Sequence, residues 1–236
     1  MKTFLPPQWQ SGGSNGHFLG TDELGRDLLS RIFYGIRESL LIGPISVILA
    51  SILGLTFGLL SGYRGGWLDS LLMRITDGIL SIPILLLAIS VIGVIGASTL
   101  TLIVVLAISQ WMSFVRLIRA EVIQLRQKQF ILASRAIGAN DWRIMFKHLL
   151  PHLIPSALVL ATLSLPNVIL LAAGLDFLGI GSTPPKPTLG GMISGGLKYL
   201  VNAPWMAIAP GLALMFLVVG INMVAESVRE KLEQSA

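Results

Sequence analysis

His148 and His152 stand four residues apart, a spacing that puts two imidazoles on one helix face, as metal ligands are often arranged. Pro151 lies between them and no third ligand is near, so capping and interfacial hydrogen bonding is the favoured reading. Asp22, Glu23 and Asp27 gather in a glycine-punctuated turn but lack the spacing of a calcium loop. Gly190-Gly191 and Gly195-Gly196 run into Leu197-Lys198, without the spacing or the hydroxyl of a phosphate-cradling loop. No histidine falls inside an apolar run, and no nucleophile sits with a base, so an intramembrane hydrolase is disfavoured. Catalytic residues and metal ligands are therefore assigned to none of the side chains, and no enzyme activity is expected of this chain.

A different kind of chemistry is spelled by residues 130 to 143, a polar-edged helical segment stranded between long apolar runs. Its side chains include Leu132, Ala133, Ser134, Arg135, Gly138, Ala139, Asp141, Trp142 and Arg143, and His148-Leu149-Leu150-Pro151 follows. A structured basic loop of this kind has nothing to bury against except a soluble partner. It reads as a docking element, with Gly138 ending its helix in the left-handed conformation and Trp142 packing it back onto the membrane-proximal helix.

The elements that must hold this loop are set by composition. The chain is 53% hydrophobic and 12% charged, with a mean hydropathy of +0.79, against roughly 25% charged residues in a soluble domain. It reads as an all-α, polytopic transmembrane helical bundle in the lipid bilayer. The net charge of +5 follows from membrane topology rather than from nucleic-acid binding. There are no cysteines, so disulfides and thiolate metal sites are excluded. Five runs approach the roughly 20 residues a span needs: Leu40 to Ser61, Gly78 to Ala97, Leu100 to Ile118, Leu153 to Ala173 and Met206 to Ala225. Ser98-Thr99 reads as a tight hairpin between the second and third.

Segment 116–152 carries Arg116, Arg119, Arg126, Lys128, Arg135, Arg143 and Lys147 against only Glu121 and Asp141, which makes it the cytoplasmic loop. Alternation then divides the chain. Residues 1–39 form an extracytoplasmic segment with an amphipathic helix, 40–225 the membrane domain with an outer loop at 174–205, and 226–236 a cytoplasmic tail. Eleven of the 17 Lys and Arg fall inside on this scheme. Thr21 and Asp22 are expected to cap a helix beginning near Leu24.

Within the first run Ser46, Ala50, Gly54, Gly58 and Gly62 recur every fourth residue. Small residues in that register make a groove for another helix backbone, leaving Leu55 and Leu59 toward lipid. Pro44, Pro83, Pro155, Pro166 and Pro210 fall in or at the ends of spans. Pro166-Asn167, mid-span, reads either as a bend lining a pathway or as a packing feature, the two being evenly weighted.

Three stretches carry a family likeness. Residues 19–31, Leu-Gly-Thr-Asp-Glu-Leu-Gly-Arg-Asp-Leu-Leu-Ser-Arg, together with Leu132-Ala133-Ser134 and Gly138 of the loop and with residues 172–181, resemble permease subunits of bacterial ABC importers. The likeness is to the C-type permeases of the dipeptide, oligopeptide and nickel group, with a lean toward the nickel members. It implies a type I ABC importer permease fold in the inner membrane, with the loop seated in a cleft of an ATPase. It also implies a second permease subunit, two ATP-binding cassette subunits and an extracytoplasmic solute-binding protein. ATP and magnesium would belong to those partner subunits, with no cofactor on this chain and no nucleic acid. The loop glutamate of the family is Leu132 here, and the likeness leads one to expect a further span before Met1. The rival reading is an ion-coupled secondary transporter, disfavoured because Asp77 and Asp176 appear close to span ends and no internal repeat is visible. ATP dependence of uptake separates the two.

Overall fold

A computed structural model describes residues 3–181 and 185–234, and the elements among them are helical. In chain order these are α1 (Leu28–Arg64), α2 (Gly66–Leu80), α3 (Ile84–Ile95), α4 (Thr99–Leu125), α5 (Gln129–Ala136) and α6 (Asp141–Arg143). A π-helical segment (Ile144–Leu149), α7 (Leu150–Phe177), α8 (Leu189–Leu197) and α9 (Trp205–Gln234) follow. Among the described residues, four helical stretches are long and apolar enough to cross a membrane: residues 28–64, 99–125, 141–177 and 205–231. A fifth crossing is available if α2 and α3 act as one broken span, bent by 90° at Ser81-Ile82-Pro83. The expected run from Gly78 to Ala97 is thus bent within itself, at one of the prolines expected to kink or end a span. Pro83 has no N–H to continue the ladder, and hydropathy alone does not register its effect.

The start of the chain also differs from expectation. α1 begins at Leu28 and continues unbroken through residue 40, so no separate amphipathic helix precedes a span at that point. Its cap is Asp27, not Thr21 or Asp22. The Asp27 carboxylate accepts the Ser30 N–H at 2.8 Å and the Ser30 hydroxyl at 2.6 Å. Asp22 instead organises the preceding turn, accepting the Leu24 and Arg26 amides at 2.9 Å each and the Arg26 Nε at 2.7 Å.

Burial pushes the Asp27 carboxyl up, but the Ser30 hydroxyl, the Ser30 amide and His17 outweigh it, and the net shift is downward. A depressed carboxyl contributes stability above its unfolded value near 3.9, lost as pH falls through the folded one. Asp27→Ala is expected to cost the first turn of α1 about 1 kcal/mol. Amide hydrogen exchange of residues 29–31 should speed up accordingly at neutral pH, and parent and variant should converge as pH falls through the lowered folded-state value of Asp27.

The chain forms two compact units, and α1, α3, α4, α7 and α9 each contribute residues to both. One comprises residues up to 44, 88–104 and 166–223. Its core sets Leu28 and Ile32 of α1 against Leu189 and Met192 of α8, with Trp205 and Ala209 of α9 beside them. Thr188 caps α8 through the Gly191 N–H. The α8 glycines serve close packing: a Cβ at Gly190 would overlap the Ala173 carbonyl, and one at Gly196 would lie 2.6 Å from Met206 backbone atoms.

The second unit comprises 45–87, 105–165 and the residues from 224 onward. Its core gathers Leu59 and Tyr63 of α1, Ile118 and Val122 of α4, Ile131 of α5, and Ile144, Leu149 and Leu153. The small-residue stripe lies in this unit. A Cβ at Gly54 would overlap that of Phe114, one at Gly58 would lie 2.8 Å from the Ile118 Cβ, and one at Gly62 would lie 2.8 Å from the Val122 Cβ. Ser46 and Ala50, two turns and one turn earlier, are fully buried. Thus α1 and α4 meet backbone to backbone along Gly54, Gly58 and Gly62. Leu59 is 3% exposed and so does not face lipid as expected, while Leu55 is half-buried; Ile52 and Leu53 are the exposed neighbours.

Candidate functional site

The loop expected to dock a partner is built from two short helices on the second unit. α5 has eight residues, too few to be stable alone in water, so its form depends on its end and its anchors. At its end, Gly138 adopts φ +83°. The Gly138 N–H donates to the Arg135 carbonyl at 2.9 Å and the Ala139 N–H to that of Ser134 at 3.1 Å. These are the two bonds of a Schellman motif. Asn140 then caps α6 by accepting the Arg143 N–H at 2.9 Å.

The anchor is a residue that the sequence reading passed over. Tyr63, 5% exposed near the end of α1, donates its hydroxyl to the Asp141 carboxylate at 2.6 Å. The Arg135 guanidinium lies 5.2 Å from the centre of the same ring, within cation–π range. One side chain thereby holds both helices of the loop. Its signal was a lone tyrosine closing an apolar run, 78 residues from its partner. Ile131 and Ser134 face inward, with Ser134 Oγ 3.4 Å from His148 Nε2.

The outward side is apolar at its centre. Leu132 is 53% exposed, Ile137 86% and Trp142 60%, while Ala133, Arg135, Gly138, Asp141 and Arg143 are exposed around them and Ala139 is half-buried. Trp142 stacks on Phe146 at 5.3 Å and borders an apolar cavity of about 280 Å³ with Ile52, Leu55 and Leu59 of α1, while Tyr63 does the anchoring. The π-helical turn ends at Leu149, two residues before Pro151, whose ring would press on the Lys147 carbonyl in a regular helix. His148 and His152 do share a face, but as partners within the helix: His152 Nδ1 donates to the His148 carbonyl at 2.7 Å, and its ring stacks on Phe130.

Two ion pairs tie α2 to α4. Asp69 takes Arg119 Nε at 2.5 Å and Nη2 at 2.7 Å, and also accepts the Ser61 hydroxyl of α1. Asp77 takes Arg116 Nη2 at 2.6 Å. Asp77 lies close to the end of α2, just before the bend into α3. α7 runs helical through Pro166, which is buried, and Asn167 is exposed beside it. The proline makes no break there.

The family model for the binding-protein-dependent transport system inner membrane component matches residues 54–236. The chain is 41% identical over 228 residues to a dipeptide transport system permease protein of Alkalihalophilus pseudofirmus, covering 97% of this chain and 75% of that one. It is 40% identical over 222 residues to a glutathione transport system permease protein of Pectobacterium atrosepticum, covering 94% and 74%. A nickel transport system permease protein of Escherichia coli is 39% identical over 217 residues, covering 92% and 78%. Among solved structures, an inward-facing MetNI methionine ABC transporter has a chain of the same fold. Its TM-score is 0.68 at 23% identity, covering 87% of this chain and 96% of that one.

Proposed function

Since the chain belongs to the binding-protein-dependent transport system inner membrane component family, and is a multi-pass permease subunit of an ABC importer in the bacterial inner membrane, we propose that residues 129–143 are its ATPase-docking element. The observation carrying this reading is the loop itself: two short helices clamped by Tyr63 from within, with Leu132, Ile137 and Trp142 turned outward. Segment 116–152 is then cytoplasmic and the chain's N-terminal segment outside. Closure of two ATP-binding cassette subunits on ATP moves the loop, and the loop moves α4 and α7 as rigid elements. A second permease subunit completes the passage, with Asn167 among its lining residues, and an extracytoplasmic binding protein delivers the solute. ATP and magnesium are bound by the partners, and this chain carries no catalytic group. The names of the relatives support small peptides or a nickel chelate as the solute.

Where relatives of this group would carry a glutamate, Leu132 supplies apolar contact, so docking rests on shape and on Arg135 and Arg143. Leu132→Arg should weaken ATPase docking about tenfold, the effect of about 1.4 kcal/mol, without loss of the membrane-inserted chain. The test is uptake by proteoliposomes holding the chain and the subunits that purify with it, supplied with labelled dipeptide and with nickel chelate. ATP-driven uptake that falls in Leu132→Arg is the expected result. Uptake driven by an ion gradient without ATP would replace the reading with a secondary transporter.

A further inference from the structure

The docking loop continues directly into two helices of its unit. On one side α4 runs into α5 through Arg126, Gln127 and Lys128 alone. On the other, α6 passes through the π-helical turn into α7 without leaving helical conformation. The same side is tied by the Phe130 ring stacked on His152 and by Ser134 Oγ, 3.4 Å from His148 Nε2. A body held only at its two ends can swing about the line between them, and a pull applied to it is absorbed in the swing. Attachment to a further helix removes that freedom. The further helix here is α1, which is remote from the loop in sequence.

The end of α1 is built as a hub, in which the consecutive residues Ser61, Gly62 and Tyr63 reach different elements. The Ser61 hydroxyl donates to Asp69 of α2, whose carboxylate also takes two guanidinium nitrogens of Arg119 from α4. The carbonyls of Gly62 and Tyr63 lie in the last turn, beyond the reach of intrahelical donors, and accept Arg126 Nη1 at 3.2 and 3.4 Å. With the seam along Gly54, Gly58 and Gly62, these bonds make one block of α1, α2 and α4. Its polar link to the loop is Tyr63, through the hydroxyl to Asp141 of α6 and the ring to Arg135 of α5. Ile131 packs into the same core, but apolar contact is non-directional and lets surfaces slide. A hydrogen bond to a carboxylate is short and strong, and it fixes direction.

We infer that Tyr63 is a positioning residue of transport, a role that rests on the docking reading of the loop. Its hydroxyl hitches the loop to the block, so that closure of the ATPases moves α1, α2 and α4 together instead of swinging the loop about its ends. Without the hitch, ATP is hydrolysed with little solute moved. Tyr63 is 5% exposed and stands apart from the outward face of Leu132, Ile137 and Trp142. Losing its hydroxyl therefore leaves the surface that meets the ATPase in place. Tyr63→Phe also keeps the ring beneath Arg135 and fills the same space in the core.

The readout is the ratio of solute taken up to ATP hydrolysed, measured on the same proteoliposomes of the assembled transporter with labelled dipeptide and with nickel chelate. Tyr63→Phe is expected to retain the ATPase subunits on purification and to hydrolyse ATP close to the parental rate. Solute moved per ATP should fall about tenfold, the scale of one hydrogen bond to a charged group. Asp141→Ala, which removes the acceptor, should lower the ratio similarly. Asp141→Asn, whose amide oxygen still accepts from the hydroxyl, should keep part of it. The Tyr63→Phe/Asp141→Ala double variant should be no worse than either single one, because all three break the same link. Uptake and hydrolysis that fall in proportion, or loss of the ATPase subunits, would reduce Tyr63 to a role in folding or docking and overturn the hitch. A parental ratio in Tyr63→Phe, or losses that multiply in the double variant, would overturn it as well. Absence of ATP-driven uptake in the parent would overturn the importer reading and the hitch together, whereas an unchanged ratio beside normal parental uptake overturns the hitch alone.

Discussion

Gly54→Leu is expected to prevent this chain from folding to its native packing, while Leu53→Ala, one residue away, leaves it nearly unchanged. At Gly54 even a methyl group would overlap Phe114, and its next contacts are Phe114 backbone atoms at 3.1 Å. Backbone does not swing aside as a flexible side-chain end would. α1 and α4 would have to separate, and with them the neighbouring contacts of Gly58 with Ile118 and Gly62 with Val122. Overpacking of a tight contact costs about 3 kcal/mol at the upper end of its usual range, and in lipid close contact is itself the main attraction between helices. Leu53 is exposed and touches no such seam. The measurement is the yield of monodisperse protein in detergent and its thermal midpoint. A Gly54→Leu variant that melts with the parent would show that the α1–α4 contact is not tight.

A second substitution should separate folding from function. Gly138→Val places a β-branched residue at φ +83°, where a left-handed backbone costs about 1–2 kcal/mol even for an ordinary L residue. Nothing lies within 4 Å of the added Cβ, so the damage is confined to the loop's own backbone. Relaxing it breaks the Arg135 and Ser134 carbonyl bonds that end α5. The helix then loses its stop, and Leu132 and Ile137 lose their fixed aim. The variant is expected to insert and melt close to the parent, yet to lose about tenfold or more of its ATP-driven uptake. Gly138→Asn should be milder, because asparagine tolerates the left-handed conformation. Val with parental uptake, or Asn as damaging as Val, would refute the link between the cap and docking.

Much of this was legible along the chain because the signals are periodic or local. A membrane helix must satisfy its backbone within itself, so long apolar runs imply spans whatever their neighbours. The stripe from Ser46 to Gly62 declares a close helix contact by spacing alone, and Gly138 declares a helix end because few other residues adopt its φ. The basic segment between spans marks a loop that lipid does not cover.

What the linear order does not contain is which distant charges and hydroxyls meet. Tyr63 finds Asp141 across 78 residues, Arg119 finds Asp69 across 50 and Arg116 finds Asp77 across 39. A stripe says that a face is packed but not that its occupant is α4, and for the same reason Leu59 could not be told from a lipid-facing residue. Pro83 marked a kink or an end within its span but not the 90° bend between α2 and α3, and α1 was underestimated because Arg31, Arg37 and Glu38 interrupt its hydropathy without interrupting its hydrogen bonds. Hydropathy measures transfer to lipid, which is a property of each residue; pairing and bending are properties of neighbours brought together, and only the tertiary structure decides them.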